Sequence, residues 1–334
     1  MATSRTPSGA RRPGGTPEIV AQCRTERVNT DLHFDYTTLG HVTIDVMADG
    51  SRRPGGTAFY SGLQAARLGR RTLVVTRGRA DELEELLEPY RGELELEILP
   101  APHTTTLLTS GSGSERRQRV MAWAGPLPED IAVDTSILHL APVAREIPAR
   151  WRGPAAFVGL TPQGLVREWS EDDGEVSLPA AAQTGADAGS QRPGDGAPPG
   201  TGAADALGIA EGCNAIVVSE EERPSCAGLI AAAAGTGGVV AVTAGPWPNT
   251  ILLPQGGVLQ SAVPAVEDPH DDLGAGDVFA AAFFCALAEG LSPDGAAAFA
   301  NAAAAVRMQG AGPGAIGERA AIEARLRAGA GSPG

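Results

Sequence analysis

All 26 basic residues of this 334-residue chain are arginines, and no lysine is present anywhere. Schiff-base catalysis needs a lysine amine and a P-loop needs the lysine of its glycine-rich cradle, so neither chemistry is available in its usual form. Any phosphate site must therefore use backbone amides, arginine or metal. Cysteines are equally sparse: Cys23, Cys213, Cys226 and Cys285 show no paired or metal-ligand spacing. No apolar run is long and uninterrupted enough to span a membrane or drive secretion. These absences lead to the expectation of a reduced, soluble, cytoplasmic protein. The formal charge of −14 leaves basic character only locally, which argues against a generic nucleic-acid binder and favours small-molecule partners. His33, His41, His103, His139 and His270 form no metal-spaced cluster.

Two stretches lack the apolar residues that burial requires. Residues 1–32 read as a disordered N-terminal tail, in which Arg11-Arg12 is not followed by the apolar stretch an export signal needs. Residues 181–204 read as a flexible insertion, because almost nothing there can offset the entropy of ordering. Residues 329–334 read as a disordered C-terminal tail. Between them, 33–328 form the expected domain.

Within that domain, β-rich apolar runs at 36–46, 72–76, 137–140, 155–159, 214–218 and 238–243 alternate with helical stretches at 57–69, 81–88 and 224–235. Alanine-rich helices at 274–290 and 294–309 close the chain. The alternation predicts an α/β fold: a doubly wound, mostly parallel sheet flanked by helices. Glu93–Ile98 alternates strictly, and Thr104–Thr109 and Arg117–Trp123 flank a Ser/Gly turn at 110–114, a hairpin pattern. The regions near 45–57 and 94–123 are thus expected to form a small β lid over the crevice at the strand ends. Arg116, Arg117 and Arg119 follow the turn, either as a solvated face or within reach of an anion.

The strongest chemical pattern is Gly274-Ala275-Gly276-Asp277 at the start of a helix. Glycines there let backbone N–H groups approach an anion, and the unpaired amides and helix dipole favour negative charge. Asp277 in the same turn is placed to accept a hydroxyl proton. An acid at a helix start is also an ordinary stabilising feature, so the short string alone does not decide.

The surrounding residues supply the context. Asp271–Phe283 resembles the C-terminal signature of the ribokinase-like (PfkB) carbohydrate and nucleoside kinases, with Asp272 and Leu273 departing from the usual Thr/Pro pattern. Gly55-Gly56-Thr57-Ala58-Phe59-Tyr60 through Ala66-Arg67-Leu68-Gly69 resembles the N-terminal signature of the same family. The resemblance implies a ribokinase-like fold and an ATP-dependent phosphotransferase acting on a hydroxyl of a sugar, a cyclitol such as inositol, or a nucleoside. It implies Asp277 as base and Gly274, Ala275 and Gly276 as the anion hole. Asp45, Gly55, Gly56 and Tyr60 are implied as substrate residues, although Tyr60 stands where the family places an Asn and so leaves the acceptor open. Ser219, Glu222, Thr243, Gly245 and Asn301 are implied on the nucleotide side, with Glu222 holding Mg²⁺ through water and room for a monovalent cation. Glu220 and Glu221 read as a charged helix start. Pairing through the lid into a homodimer is a further expectation. The competing reading is a catalytically altered ligand-binding or regulatory protein on the same fold, motivated by Tyr60, Ser219 and Pro246–Pro248.

Overall fold

The computed structural model describes residues 1, 32–111, 113–179 and 201–330. The expected N-terminal tail and the insertion up to residue 200 lie outside the described residues, as do residues 331–334. The strands in chain order are β1 (Phe34–Leu39), β2 (Thr43–Met47), β3 (Arg52–Gly55), β4 (Thr72–Gly78), β5 (Glu95–Pro100), β6 (Thr106–Ser110), β7 (Arg117–Ala122), β8 (Thr135–Leu140), β9 (Ala155–Leu160), β10 (Glu168–Trp169), β11 (Val176–Ser177), β12 (Ala215–Ser219), β13 (Val239–Ala244), β14 (Trp247–Leu252) and β15 (Val258–Ser261). The helices are α1 (Thr57–Arg67), α2 (Ala80–Leu87), α3 (Gln163–Val166), α4 (Ala203–Glu211), α5 (Ala227–Gly235), α6 (Ala275–Ala288), α7 (Pro293–Arg307) and α8 (Arg319–Ala330).

Nine strands form the main sheet in the order β15-β14-β13-β12-β9-β8-β1-β4-β5. The seven from β13 to β5 run parallel, and β14 and β15 add an antiparallel edge. Their apolar runs are buried on both faces, as a doubly covered parallel sheet requires. One core packs Phe59 and Leu63 of α1 with Phe279, Phe283 and Phe284 of α6 and the alanine face of α7. On the opposite face Ile209 of α4 and Leu229 of α5 pack with Leu138 and Val240. Small alanines let α6 and α7 approach closely, while Ser292 caps α7 by accepting from the Gly295 N–H (3.2 Å), ahead of Pro293. The chain leaves β1 toward β4 and β5 on one side and returns through β8 on the other, so the order reverses beside β1, where α/β sheets open a crevice.

A second sheet, β3-β2-β6-β7, stands over that crevice. The expected run 36–46 is two strands: β1 belongs to the main sheet, and after Gly40–Val42 the chain crosses to β2 in the small one. Val42 N–H donates to the Thr76 hydroxyl (2.7 Å) and His41 N–H to the buried Glu146 carboxylate (2.8 Å), which anchors the crossing between sheets. The β6–β7 hairpin forms as its turn predicts. Glu93–Ile98 does not join the lid; β5 is the edge of the main sheet, parallel to β4, and its alternation reflects one covered and one solvated face. Ala203 and Ala204 open α4 instead of extending the insertion, and α8 continues past residue 328 to Ala330. Among the described residues, no helix is long and apolar enough to cross a membrane.

Candidate active site

The chain between β15 and α6 must turn sharply to start α6, and Gly274 makes that turn with φ 78°. A Cβ at Gly274 would lie 2.2 Å from the Tyr60 ring, so backbone freedom and close packing both require glycine. The N–H of Ala275 is used by the Asp272 carbonyl (3.1 Å). Gly276 and Asp277, in the first turn, have no intrahelical acceptor, and none of the backbone bonds outside the helices engages them. Two amides and the positive end of a 14-residue helix therefore face a cavity of about 430 Å³.

The cavity lies between the ends of β12 and β13, the small sheet and the start of α6. Gly274, Gly276 and Asp277 line it, and Ala275 does not. Removal from water raises the Asp277 carboxyl to about 6. The Thr57 hydroxyl, Arg167 and Arg116 pull it down, while Glu222 pushes it up. Gln163 Nε2 donates to Thr57 Oγ1 (3.0 Å), which leaves the Thr57 hydrogen free to face Asp277. A carboxyl near 6 is ionised at neutral pH yet basic enough to take a proton.

Asp45, on β2, faces the same cavity. It is only 2% exposed, and burial raises it to about 6 against the Thr43 hydroxyl bond (2.7 Å), Arg116 and Arg167. Gly55 on the neighbouring strand gives it room: a Cβ there would lie 2.3 Å from an Asp45 oxygen. Gly56 lines the cavity with φ 87°. The Tyr60 ring also lines it, but the hydroxyl is buried and has no hydrogen-bond partner among the described residues, and burial raises its pKa. The phenol thus offers the cavity a ring against Gly274, where an amide would offer a donor and an acceptor.

At the other end, Ser219, Glu222 and Thr243 line the cavity. Ser219 and Glu222 cap each other: Glu222 N–H donates to Ser219 Oγ (3.2 Å) and Ser219 N–H to Glu222 Oε2 (3.1 Å). Ser219 therefore has a local role in closing the turn after β12. Gly245 sits in the exposed β13–β14 turn, outside the cavity lining. Asn301 is also outside it; its amide accepts from Asn249 (2.7 Å) and donates to Ser261 Oγ (3.2 Å) and Ala262 O (3.0 Å), fastening α7 to the sheet edge. Among the described residues, no cluster of three or more His, Cys, Asp or Glu could hold a metal. Magnesium accepts a single carboxylate when water and phosphate complete its shell, and Glu222 fits that demand.

The arginines after the lid turn divide. Arg117 and Arg119 are exposed and face Glu175 (3.6 Å) and Asp173 (3.9 Å), whereas Arg116 points into the cavity and pairs with Asp272. Gly113 N–H donates to the other Asp272 oxygen (2.9 Å). The departure at Asp272 is thus a clasp between the lid turn and the loop before α6. Sequence reasoning missed Arg167, which lines the cavity, has no ion-pair partner among the described residues and acts on both Asp45 and Asp277. It also missed the β10–β11 hairpin, whose Val176 and Ser177 close one wall. Neither region carries a distinctive motif.

Residues 214–319 match the pfkB family carbohydrate kinase profile. The chain carries a pfkB-family segment on a ribokinase-like fold. Solved structures extend the likeness to nearly the whole chain. A sulfate-bound pyrophosphate-dependent kinase in the ribokinase family is 18% identical with a TM-score of 0.63, covering 86% of this chain and 99% of that one. The inosine complex of Burkholderia thailandensis nucleoside kinase is 15% identical with a TM-score of 0.64, covering 90% and 100%. Arabidopsis thaliana ribokinase, complexed with ribose and ATP, is 16% identical with a TM-score of 0.59, covering 89% and 99%. No curated protein matches by sequence. The pfkB relatives are phosphotransferases with a hydroxyl acceptor, and at these identities the solved structures establish the fold alone.

Proposed function

We propose that this pfkB-type chain transfers the γ-phosphoryl group of ATP to a hydroxyl of a small polyol: a sugar, a cyclitol such as inositol, or a nucleoside. The observation that carries the reading is one turn of helix in which Asp277, raised to about 6, stands beside two unengaged amides facing a cavity that also holds Asp45. Asp45 accepts hydroxyls and fixes the acceptor. Asp277 takes the proton of the reacting hydroxyl as its oxygen bonds to the γ-phosphorus. The bond from that phosphorus to the β-phosphate bridging oxygen breaks, and ADP leaves. The amides of Gly276 and Asp277 hold the transferring oxygens, and Arg167 and Arg116 add positive charge where backbone alone would carry it. Magnesium held through Glu222 and water would neutralise the donor phosphates. Pairing of two lids, if it occurs, falls to β3, because the β7 edge is already met by the β10–β11 segment through Arg119 and Glu175.

The deciding experiment supplies ATP and Mg²⁺ with panels of sugars, cyclitols and nucleosides, repeats them with pyrophosphate as donor, and compares wild type with Asp277→Asn. Acceptor-dependent ADP release is expected and falls about 10²–10⁴-fold in the variant, the usual contribution of a general base. Saturable acceptor binding with no turnover from either donor supports the ligand-binding reading instead. Release of ADP that ignores the acceptor leaves only an ATPase.

A further inference from the structure

Arg307 ends α7 with its side chain wholly enclosed, at 0% exposure. Taking a guanidinium out of water is strongly unfavourable unless its donors are met; Nε finds no partner among the described residues, and the acceptors of the two Nη groups show what the side chain is for. Nη1 donates to the carbonyls of Asp271 (3.3 Å) and Gly310 (3.0 Å); Nη2 donates to Asp271 Oδ2 (3.1 Å) and to the Leu273 carbonyl (2.7 Å). Asp271 in turn accepts from Leu273 N–H (2.9 Å) and Gly312 N–H (3.0 Å), and the partly exposed Arg53 guanidinium stands farther off, 3.7 Å from its Oδ2. The guanidinium also sits 5.7 Å from the centre of the Tyr60 ring, the ring against which Gly274 packs. Every one of these acceptors belongs to the loop that starts α6 or to the loop after α7.

Three carbonyls and a carboxylate thus converge next to the turn that must receive a phosphoryl group. Left alone, they would oppose both their own approach and the arrival of an anion. One delocalised cation with fork geometry satisfies them together. Such an oxygen set is also what a small hard cation takes.

We infer that Arg307 is a positioning residue whose guanidinium serves as the built-in cation of the anion-hole loop, so that the chain needs no dissociable monovalent cation to order it. Arg307 touches neither reactant; it acts through the Asp271 and Leu273 carbonyls on Gly274 and hence on the amides of Gly276 and Asp277. The catalytic part of this inference rests on the kinase reading, whereas the ion-binding part does not.

The test uses the full chain as wild type, Arg307→Ala and Arg307→Lys, in buffers whose only cation is tetramethylammonium, with millimolar potassium or guanidinium added. Wild-type turnover is expected to change less than twofold on either addition. Arg307→Ala is expected to lose about 100-fold in kcat, the effect of misplacing reacting groups by about an ångström, with acceptor KM within about threefold. Potassium or guanidinium at millimolar concentration should recover at least about tenfold of that loss, and Arg307→Lys should fall between the two. Melting temperature supplies a readout without turnover: Arg307→Ala, but not wild type, should be raised by the same additions. If Arg307→Ala does not fold, the wild-type cation profile and Arg307→Lys, whose single ammonium reaches fewer of the four oxygens, carry the test. A wild type that gains several-fold from potassium overturns the inference. So does a folded Arg307→Ala that neither added ion restores or raises in melting temperature. If the acceptor panel fails while the melting response appears, the kinase reading falls and the internal-cation inference stands.

Discussion

Asp271 and Asp272 are neighbours in the chain and serve opposite sides of the site. Asp271 turns mainly inward, to Arg307 and the amides of Leu273 and Gly312, with Arg53 of β3 as a longer ion pair at 3.7 Å. Asp272 turns outward, to Arg116 and the Gly113 amide on the lid turn. The inward set is enclosed and shared among several donors; the outward one is a partly exposed ion pair plus one amide. The comparison teaches that the turn carrying Asp277 is built to stay in place, whereas the small sheet is held to it by fewer contacts. Ion pairs near the surface contribute on the order of 1 kcal/mol, a strength compatible with opening on the proposed kinase reading.

The largest effect that can break this comparison belongs to Asp277→Asn, which should lower turnover about 10²–10⁴-fold while leaving the protein more stable. The sign follows from linkage. Folding raises the Asp277 carboxyl from 3.8 to about 6, so the native state holds the proton more tightly. The resulting stability is complete below the unfolded pKa and is lost as pH rises through 6. Neutral Asn escapes that loss, and thermal melting at pH 8 should show a gain on the order of 1–3 kcal/mol, while little difference is expected at pH 4. A variant less stable than wild type at pH 8 would contradict the placement of the carboxyl in a desolvated cavity.

Arg167→Ala comes next. Its guanidinium has no ion-pair partner among the described residues, so its removal should show in turnover, by about 10-fold or more, with little change in melting. An effect confined to stability would assign it to scaffolding.

The pH profile of kcat/KM should fall on the acid side with a midpoint near 6, because Asp277 and Asp45 are both raised to about that value and act as bases or acceptors when ionised. Asp45→Asn should simplify the limb to one ionisation. Asp272→Ala should have the smallest effect, a change of about threefold in acceptor KM as the lid opens more often, with kcat nearly unchanged. A loss of kcat matching that of Arg307→Ala would mean that both aspartates belong to one rigid unit.

The division between rigid turn and movable lid also marks what the sequence made legible. The helix start at Gly274–Asp277 was readable because a sharp turn into a helix needs glycine and favours a nearby acid, a local requirement written in consecutive residues. Asp45, Gly55 and Gly56 carry no such local signal; they were named only through the family resemblance, and they line or flank the same cavity from the small sheet and the turn into α1. Arg307, Arg167 and the Asp272 clasp were not readable, because each acts on partners far away in the chain. The faint signal for Arg307 was a lone cation ending an otherwise alanine-rich helix. The β5 alternation misled because an edge strand of a large sheet and a lid strand share one pattern of covered and solvated faces. Asn301 shows the limit of a motif reading, because a buried amide near a site looks the same in sequence whether it meets a ligand or bonds, as here, to Asn249, Ser261 and Ala262.

The contact between Gly274 and Tyr60 restricts how this site can be changed, by selection or by design. Exchanging Tyr60 for asparagine is not a simple gain of polarity in the cavity, since it removes the ring against which the Gly274 turn packs. Enlarging Gly274 is barred twice, by the ring and by its φ of 78°, and losing the ring lifts only the first bar. The two positions form an epistatic pair, and a route toward a more polar acceptor has to replace the lost volume before it gains the amide.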